Sequence, residues 1–207
     1  MGFLRDVFGP SKEDIWRELC ARTGASYVEG GFWRGDKVQA QVGSWTVTLD
    51  TFTESHDHGD HHHSKSFTRL RAPFVNPQGF HFTIYRASVF SPLGSLFGMQ
   101  DIEIGDDGFD ADFVIKGSDE DVAKNLLASD RIRDLLASDP APHLTVKPDE
   151  GWFGVTFPEG VDELYFQTPG VVKDVLRLEQ MFELFAETLH RLCILGAAYK
   201  GDPGVDL

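Results

Sequence analysis

The most regular pattern in the chain lies near its end, where Val171, Val175, Leu178, Phe182, Phe185, Leu189 and Leu192 recur at alternating steps of four and three. That spacing keeps one side of a helix apolar, so it predicts a long helix over 168–195, capped by Thr168-Pro169 and buried along its stripe. A stripe this regular also suits a coiled coil between two chains, but three heptads is short, and packing on a sheet is the preferred reading. At the other end, Ser11 with Asp14 three residues on forms an N-cap and capping-box pair, and Gly24 supplies the stop. Ile15, Trp16, Leu19 and Cys20 are the apolar stripe of that N-terminal helix.

Between these helices the period changes to two. Val38, Ala40 and Val42 alternate with polar residues, Gly43-Ser44 makes a two-residue link, and Trp45, Val47 and Leu49 alternate again, which predicts a hairpin with glycine where a II′ turn needs it. A polar stretch over 54–66 then reads as an inter-strand loop, followed by strands over 67–72 and 80–86. Ser91-Pro92 begins a single helical turn that ends at Gly98. Ile102 and Ile104, a turn over 105–108, and Phe109, Ala111, Phe113 and Ile115 predict one more hairpin.

Ser118 with Asp121, and then Ser129, open a central helix pair carrying Ala123, Leu126 and Leu127, then Ile132, Leu135 and Leu136, which Pro140 ends. Short strands near Leu144, over 152–157 and over 163–167 precede the last helix. These elements add up to one α+β domain over 1–207: an antiparallel sheet of sequential hairpins, with an N-terminal helix, a central helix pair and a long C-terminal helix packed on the sheet. Residues 1–10 form a short apolar arm with Phe3, Leu4, Val7 and Phe8, stopped by Pro10.

Composition changes this picture in two ways. A 207-residue chain with 41% hydrophobic residues can bury one sizeable core, which excludes the disordered class. A net charge of −14 repels phosphate backbones and anionic headgroups, so no nucleic-acid partner is expected and acidic membrane surfaces are poor partners. The charge is uneven: 101–121 holds nine acids and one base, whereas 65–86 holds four bases and no acid. In a sequentially wound sheet these stretches are neighbours, so Arg69 and Arg71 are expected to pair with acids from 101–112; an anionic ligand is the alternative. Cys20 and Cys193 sit in apolar helical patterns without a Cys-x-x-Cys pair, and no apolar run reaches about 18 residues, so a cytoplasmic location without a membrane span is expected.

Six segments carry a resemblance: 49–51 (Leu-Asp-Thr), 67–73 (Phe-Thr-Arg-Leu-Arg-Ala-Pro), 96–103, 109–117 with Asp119-Glu120, 150–153 (Glu-Gly-Trp-Phe) and 161–166 (Val-Asp-Glu-Leu-Tyr-Phe). Through them the chain from about Trp45 to the end of the last helix resembles an uncharacterised bacterial domain family, some of whose members carry the domain behind membrane helices. The resemblance brings no activity and no functional residue. It implies that the stretch after Glu54 is a variable inter-strand loop, which this chain fills with His and Asp.

That stretch is the sharpest chemical signal. His56, His58, Asp60 and His61, followed by His62 and His63, have the His-x-His-x-Asp-His spacing of two-metal hydrolases, but the surrounding strands do not alternate with helices as that fold requires. The expectation is an exposed, mobile loop that holds zinc or nickel weakly and without catalysis. The acidic turn at Asp106, Asp107, Asp110 and Asp112 lacks the spacing of an EF-hand and reads as a solvated face rather than a calcium site. Phe90, Leu93, Leu96, Phe97 and Met99 form an apolar connection, either a cap on the core or a surface for a protein partner or small ligand. No nucleophile elbow, phosphate-binding glycine loop or dinucleotide fingerprint occurs. The leading functional expectation is therefore a non-enzymatic cytoplasmic binding or protein-interaction domain, monomeric or dimeric. The alternatives are a metal-dependent hydrolase or a metal-binding protein that uses the His56 to His63 tract.

Overall fold

The computed structural model describes residues 10–31, 35–58, 61–88, 99–148, 155–201, 203–205 and 207, with the backbone alone described at 56–58 and 61–63. In chain order the elements are α1 (Lys12–Thr23), β1 (Ser26–Val28), β2 (Lys37–Val42), β3 (Trp45–His58), β4 (His61–Val75), β5 (Phe82–Arg86) and β6 (Gln100–Asp101). Then follow α2 (Asp107–Asp112), β7 (Phe113–Gly117), α3 (Glu120–Leu127), α4 (Asp130–Ser138), β8 (His143–Lys147), β9 (Val161–Pro169) and α5 (Val175–Ile194). The fold is α+β, as its alternating periods predict.

Local signals place several elements where they were expected. Ser11 Oγ accepts from the Asp14 N–H at 3.1 Å and the Asp14 carboxylate accepts from the Ser11 N–H, the reciprocal box that starts α1. Gly24 stops it at φ 76°. Gly43 takes φ 60° between Val42 and Trp45, which pair across the turn.

Other elements differ. Thr168 and Pro169 stay in β9, opposite Thr68 and Phe67, and α5 starts later, where the Asp174 carboxylate accepts from the Arg177 N–H at 3.0 Å. The ladder with β4 outcompetes the local cap at Thr168. The expected strand through Phe109 is instead the short helix α2, because the Asp106 carboxylate accepts from the Gly108 and Phe109 N–H groups. Asp110, next along, accepts from the Ile104 and Gly105 N–H groups at 3.0 and 2.9 Å, so these two acids cap backbone, while Asp106, Asp107 and Asp112 are exposed as a solvated face would have them.

Among the described residues nine strands form one antiparallel sheet in the order β1-β2-β3-β4-β9-β8-β5-β7-β6. Winding is sequential only as far as β4; β9 and β8 then intervene before β5. One face carries Val38, Leu49, Leu70, Phe74, Leu164, Phe166, Leu144 and Ile84, which form a single core with Trp16 and Leu19 of α1, Leu126 of α3, Ile132 of α4 and the α5 stripe. Leu178, Phe185, Leu189 and Leu192 of that stripe are fully buried within the chain, whereas Val171, ahead of the helix, is exposed. Thr168 ties the end of α4 to the sheet by donating to Asp139, and Arg177 of α5 donates to both residues.

Candidate functional site

Strand alternation puts Thr48, Asp50, Phe52, Phe67, Arg69, Arg71, Glu163, Tyr165, Gln167, His143, Thr145 and Thr83 on the second face, opposite the core. That face is polar in composition, yet much of it is buried. Glu163 is 0% exposed, Tyr165 4% and Arg71 5%. The carboxy-terminal residues run over part of it, where Gly204, Val205 and Leu207 line a cavity of about 230 Å³ with Gln39, Thr46, Thr48 and Pro73.

Asp50 is the centre of the charge arrangement. Its two oxygens accept from Arg69 Nε and Nη2 and from Arg71 Nη2, the last at 2.7 Å. Ion pairing is thus what the two arginines do, but with Asp50 rather than with 101–112. The expected neighbours are separated because β9 and β8 lie between β4 and β5. The acids there have their own cations, with Lys116 Nζ on Asp101 at 2.9 Å and Arg86 Nη1 on Asp112 at 3.1 Å.

Beyond Arg71 the cluster continues into β9 and β8. Burial pushes the Glu163 carboxyl up to about 7, against the pull of Arg71, Lys147 and Arg69, and neither of its oxygens has a hydrogen-bond partner among the described residues. Burial likewise pulls Lys147 down to about 8; its ammonium lies 3.1 Å from the Tyr165 ring centroid. Tyr165 donates to Gln167 Oε1 at 2.8 Å, and burial pushes its phenol up to about 12. At the far end His143 sits within 2.9 Å of Thr83 Oγ1, and burial lowers its pKa to about 4, so its ring is neutral at pH 7.

The β3–β4 ladder runs well past the rest of the sheet. β2 stops pairing with β3 at Leu49, and β9 pairs with β4 only from Phe67 onward. From Thr53 opposite Ser66 to His58 opposite His61, no further strand pairs with these two among the described residues, and they form a projecting two-stranded arm, at whose base the Ser66 carbonyl accepts from the Gly170 N–H at 2.8 Å. Its base is firm: Phe52 and Phe67 stack with centroids 5.1 Å apart, Arg69 lies over Phe52 at 5.0 Å, and the Thr53 and Ser66 hydroxyls are 3.0 Å apart. Thr53, Ser55, Ser64 and Lys65 are exposed.

This arm replaces the expected loop over 54–66. His56 and His58 are on β3 and His61, His62 and His63 on β4, with His56 opposite His63, Asp57 opposite His62 and His58 opposite His61. Asp60 lies outside the described residues, as do Phe90, Leu93, Leu96 and Phe97; Met99 is half-buried just before β6. The histidines elsewhere serve local roles. His81 Nε2 lies 3.3 Å from Asp162, and His190 on α5 lines a cleft with Trp45, Glu187 and Lys200.

Sequence reading missed Asp50, Lys147, Glu163 and Tyr165. The available signal was the alternation of Glu163, Tyr165 and Gln167 with Leu164 and Phe166, which marks a strand whose second face is polar.

No family model matches the chain, and no curated protein matches it. Among solved structures, the mycobacterial trehalose monomycolate transport factor A, TtfA, is similar, with a TM-score of 0.51 and 9% identity over 87% of this chain and 94% of that one. At that identity the likeness is one of fold. No helix among the described residues is long and apolar enough to cross a membrane.

Proposed function

We propose that this chain is a non-enzymatic binding domain that engages a protein partner through the β3–β4 arm. One observation carries the reading: a two-stranded ribbon extends beyond both neighbouring strands and exposes Thr53, Ser55, Ser64 and Lys65. An isolated two-stranded ribbon is at best marginally stable, and edges beside which no further strand lies among the described residues are templates for another chain, so a partner strand or surface is its natural complement. The stacked, ion-paired base holds the arm on the sheet while Thr53, Ser55, Ser64 and Lys65 stay exposed. The fold shared with a protein named as a transport factor supports a role in binding rather than in transformation. Cytoplasmic residence belongs to the same proposal.

The test is site-specific photocrosslinking in the cells that make the protein. A crosslinker placed at Ser55 or Ser64 is expected to give one discrete protein adduct that a crosslinker at Leu176, exposed on α5, does not give. A chain in which residues 55–64 are replaced by an Asn-Gly turn should keep its fold and lose partner-dependent activity in the cell. Adducts formed equally well from Leu176, or full activity of the shortened chain, would place binding elsewhere.

A further inference from the structure

β3 begins at Trp45 and ends in the arm, and a cleft of about 580 Å³ lies at its Trp45 end. Three segments wall it. The β2–β3 turn contributes Ser44 and Trp45, α5 contributes Ala186, Glu187 and His190, and the chain beyond α5 contributes Lys200. Helical spacing puts Ala186, Glu187 and His190 on neighbouring turns of one face. Lys200 is carried across because Gly196 turns the chain at φ 74° and the Tyr199 N–H then donates to the Val75 carbonyl at 3.0 Å. Each wall is thus fixed by backbone pairing, and the volume falls within the range of pockets that hold small organic ligands.

The polar side chains of this cleft differ from those around it. Glu179, Glu183 and Glu187 follow one another on α5 at steps of four. Glu179 pairs with Arg22 and Glu183 with Arg131, whereas Glu187 makes no salt bridge or hydrogen bond among the described residues. The same holds there for the side chains of Ser44, His190 and Lys200. A carboxylate and an ammonium group therefore line one cleft from different walls without bridging each other, and between them lie the apolar surfaces of Trp45 and Ala186.

We infer that this cleft binds a small zwitterion with an apolar body, an amino acid or dipeptide with a hydrophobic side chain. The Glu187 carboxylate accepts from the ligand's ammonium group, Lys200 and the Ser44 hydroxyl donate to its carboxylate, and Trp45 and Ala186 cover its apolar body. His190 borders the same space with a ring nitrogen. An amphiphile with a single charge is matched less well. A carboxylate alone leaves Glu187 without a counter-charge beneath the ligand, and an amine alone does the same to Lys200. The site is separate from the arm, which occupies the other end of β3.

The experiment titrates the full, isotope-labelled chain with L-phenylalanine and with L-leucyl-L-phenylalanine, following amide NMR shifts. Two analogues each lack one charge: phenethylamine has no carboxylate and 3-phenylpropanoate has no ammonium group. Saturable shifts are expected at 42–45, 186–190 and 199–200 and not at 53–58 or 61–66, and the tighter of the two zwitterions sets the size of the ligand. Phenylalanine should bind at least ~10-fold more tightly than either analogue, which corresponds to about 1.4 kcal/mol. K200A should lower phenylalanine to the level of phenethylamine, and E187Q to the level of 3-phenylpropanoate. A186W, which fills the cleft from a half-buried helix position, should abolish the shifts while the thermal melt keeps its cooperativity. The chain with residues 55–64 replaced should bind as the wild type does, so this site and the partner reading stand or fall separately. Three results would overturn the inference: no saturable shift with either zwitterion, an analogue that binds as tightly as phenylalanine, or undiminished binding by A186W.

Discussion

Phe52 and Phe67 face each other in the β3–β4 register with rings stacked at 5.1 Å, at the point where β9 ends and the arm begins. Phe67 is 6% exposed although it lies on the second face of the sheet. The pair therefore joins the sheet to a ribbon that has no other strand beside it among the described residues.

Phe67→Ala is expected to destabilise the chain by about 3 kcal/mol, the low end for truncating a buried phenylalanine, because the stack is local to the arm base. Urea unfolding gives the total, and hydrogen exchange gives its distribution. Amides at 53–58 and 61–66 should lose protection before those of α5. Uniform loss across the chain would show that the stack supports the whole sheet instead.

Asp50→Ala removes the carboxylate that Arg69 and Arg71 share. Breaking an ion pair of this kind costs about 3–5 kcal/mol when it is fully buried. Arg69 and Asp50 keep part of their surface in water, which places the expected loss near about 3 kcal/mol. Asp50→Asn, which retains hydrogen-bond acceptance without the charge, should recover part of it. A shift in urea midpoint below that of a typical surface substitution would show that Arg71 is held chiefly by its other contacts.

The pH profile has two opposing contributions. His143 is lowered from 6.5 to about 4, so the unfolded chain takes up a proton that the folded one refuses; stability is full above about 6.5 and is lost as pH falls toward 4. Glu163 is raised from 4.5 to about 7, so the folded chain holds a proton that the unfolded one releases; its contribution is full below about 4.5 and is lost as pH rises toward 7. The two overlap between about pH 4.5 and 6.5 with opposite sign. Thermal melts should therefore be flat there for the wild type, rise with falling pH for His143→Gln, and fall with falling pH for Glu163→Gln. Identical profiles for all three chains would contradict the assignment.

Phe185 is fully buried on α5 against the core of its own chain. Phe185→Ala should cost about 3–5 kcal/mol, and the melting temperature of either chain should not change over a hundredfold dilution. A melting temperature that falls on dilution would return the stripe to an interface between chains.

Signals that act within a few residues were readable directly. The four-three stripe of α5, the Ser11–Asp14 box, the Gly24 stop and the Gly43 turn depend only on helical or strand period and on backbone groups nearby in sequence. The arm was also encoded locally, in a form composition conceals: Thr53 with Ser66, Glu54 with Lys65, Ser55 with Ser64 and His56 with His63 mirror one another about Gly59-Asp60. A polar stretch read by hydropathy is a loop, whereas the same stretch read by cross-strand complementarity is a hairpin. What the sequence could not determine by itself was strand order. Whether β4 is flanked by β5 or by β9 is a choice between pairings of similar local merit, settled by which arrangement buries the core face of β9 under α5. That choice placed Glu163 and Tyr165 beside Arg71 and moved the acids of 101–112 out of reach of the arginines. Each local rule specifies one element well, but a charge cluster is assembled from several strands, so its members become neighbours only when non-local pairing brings them together.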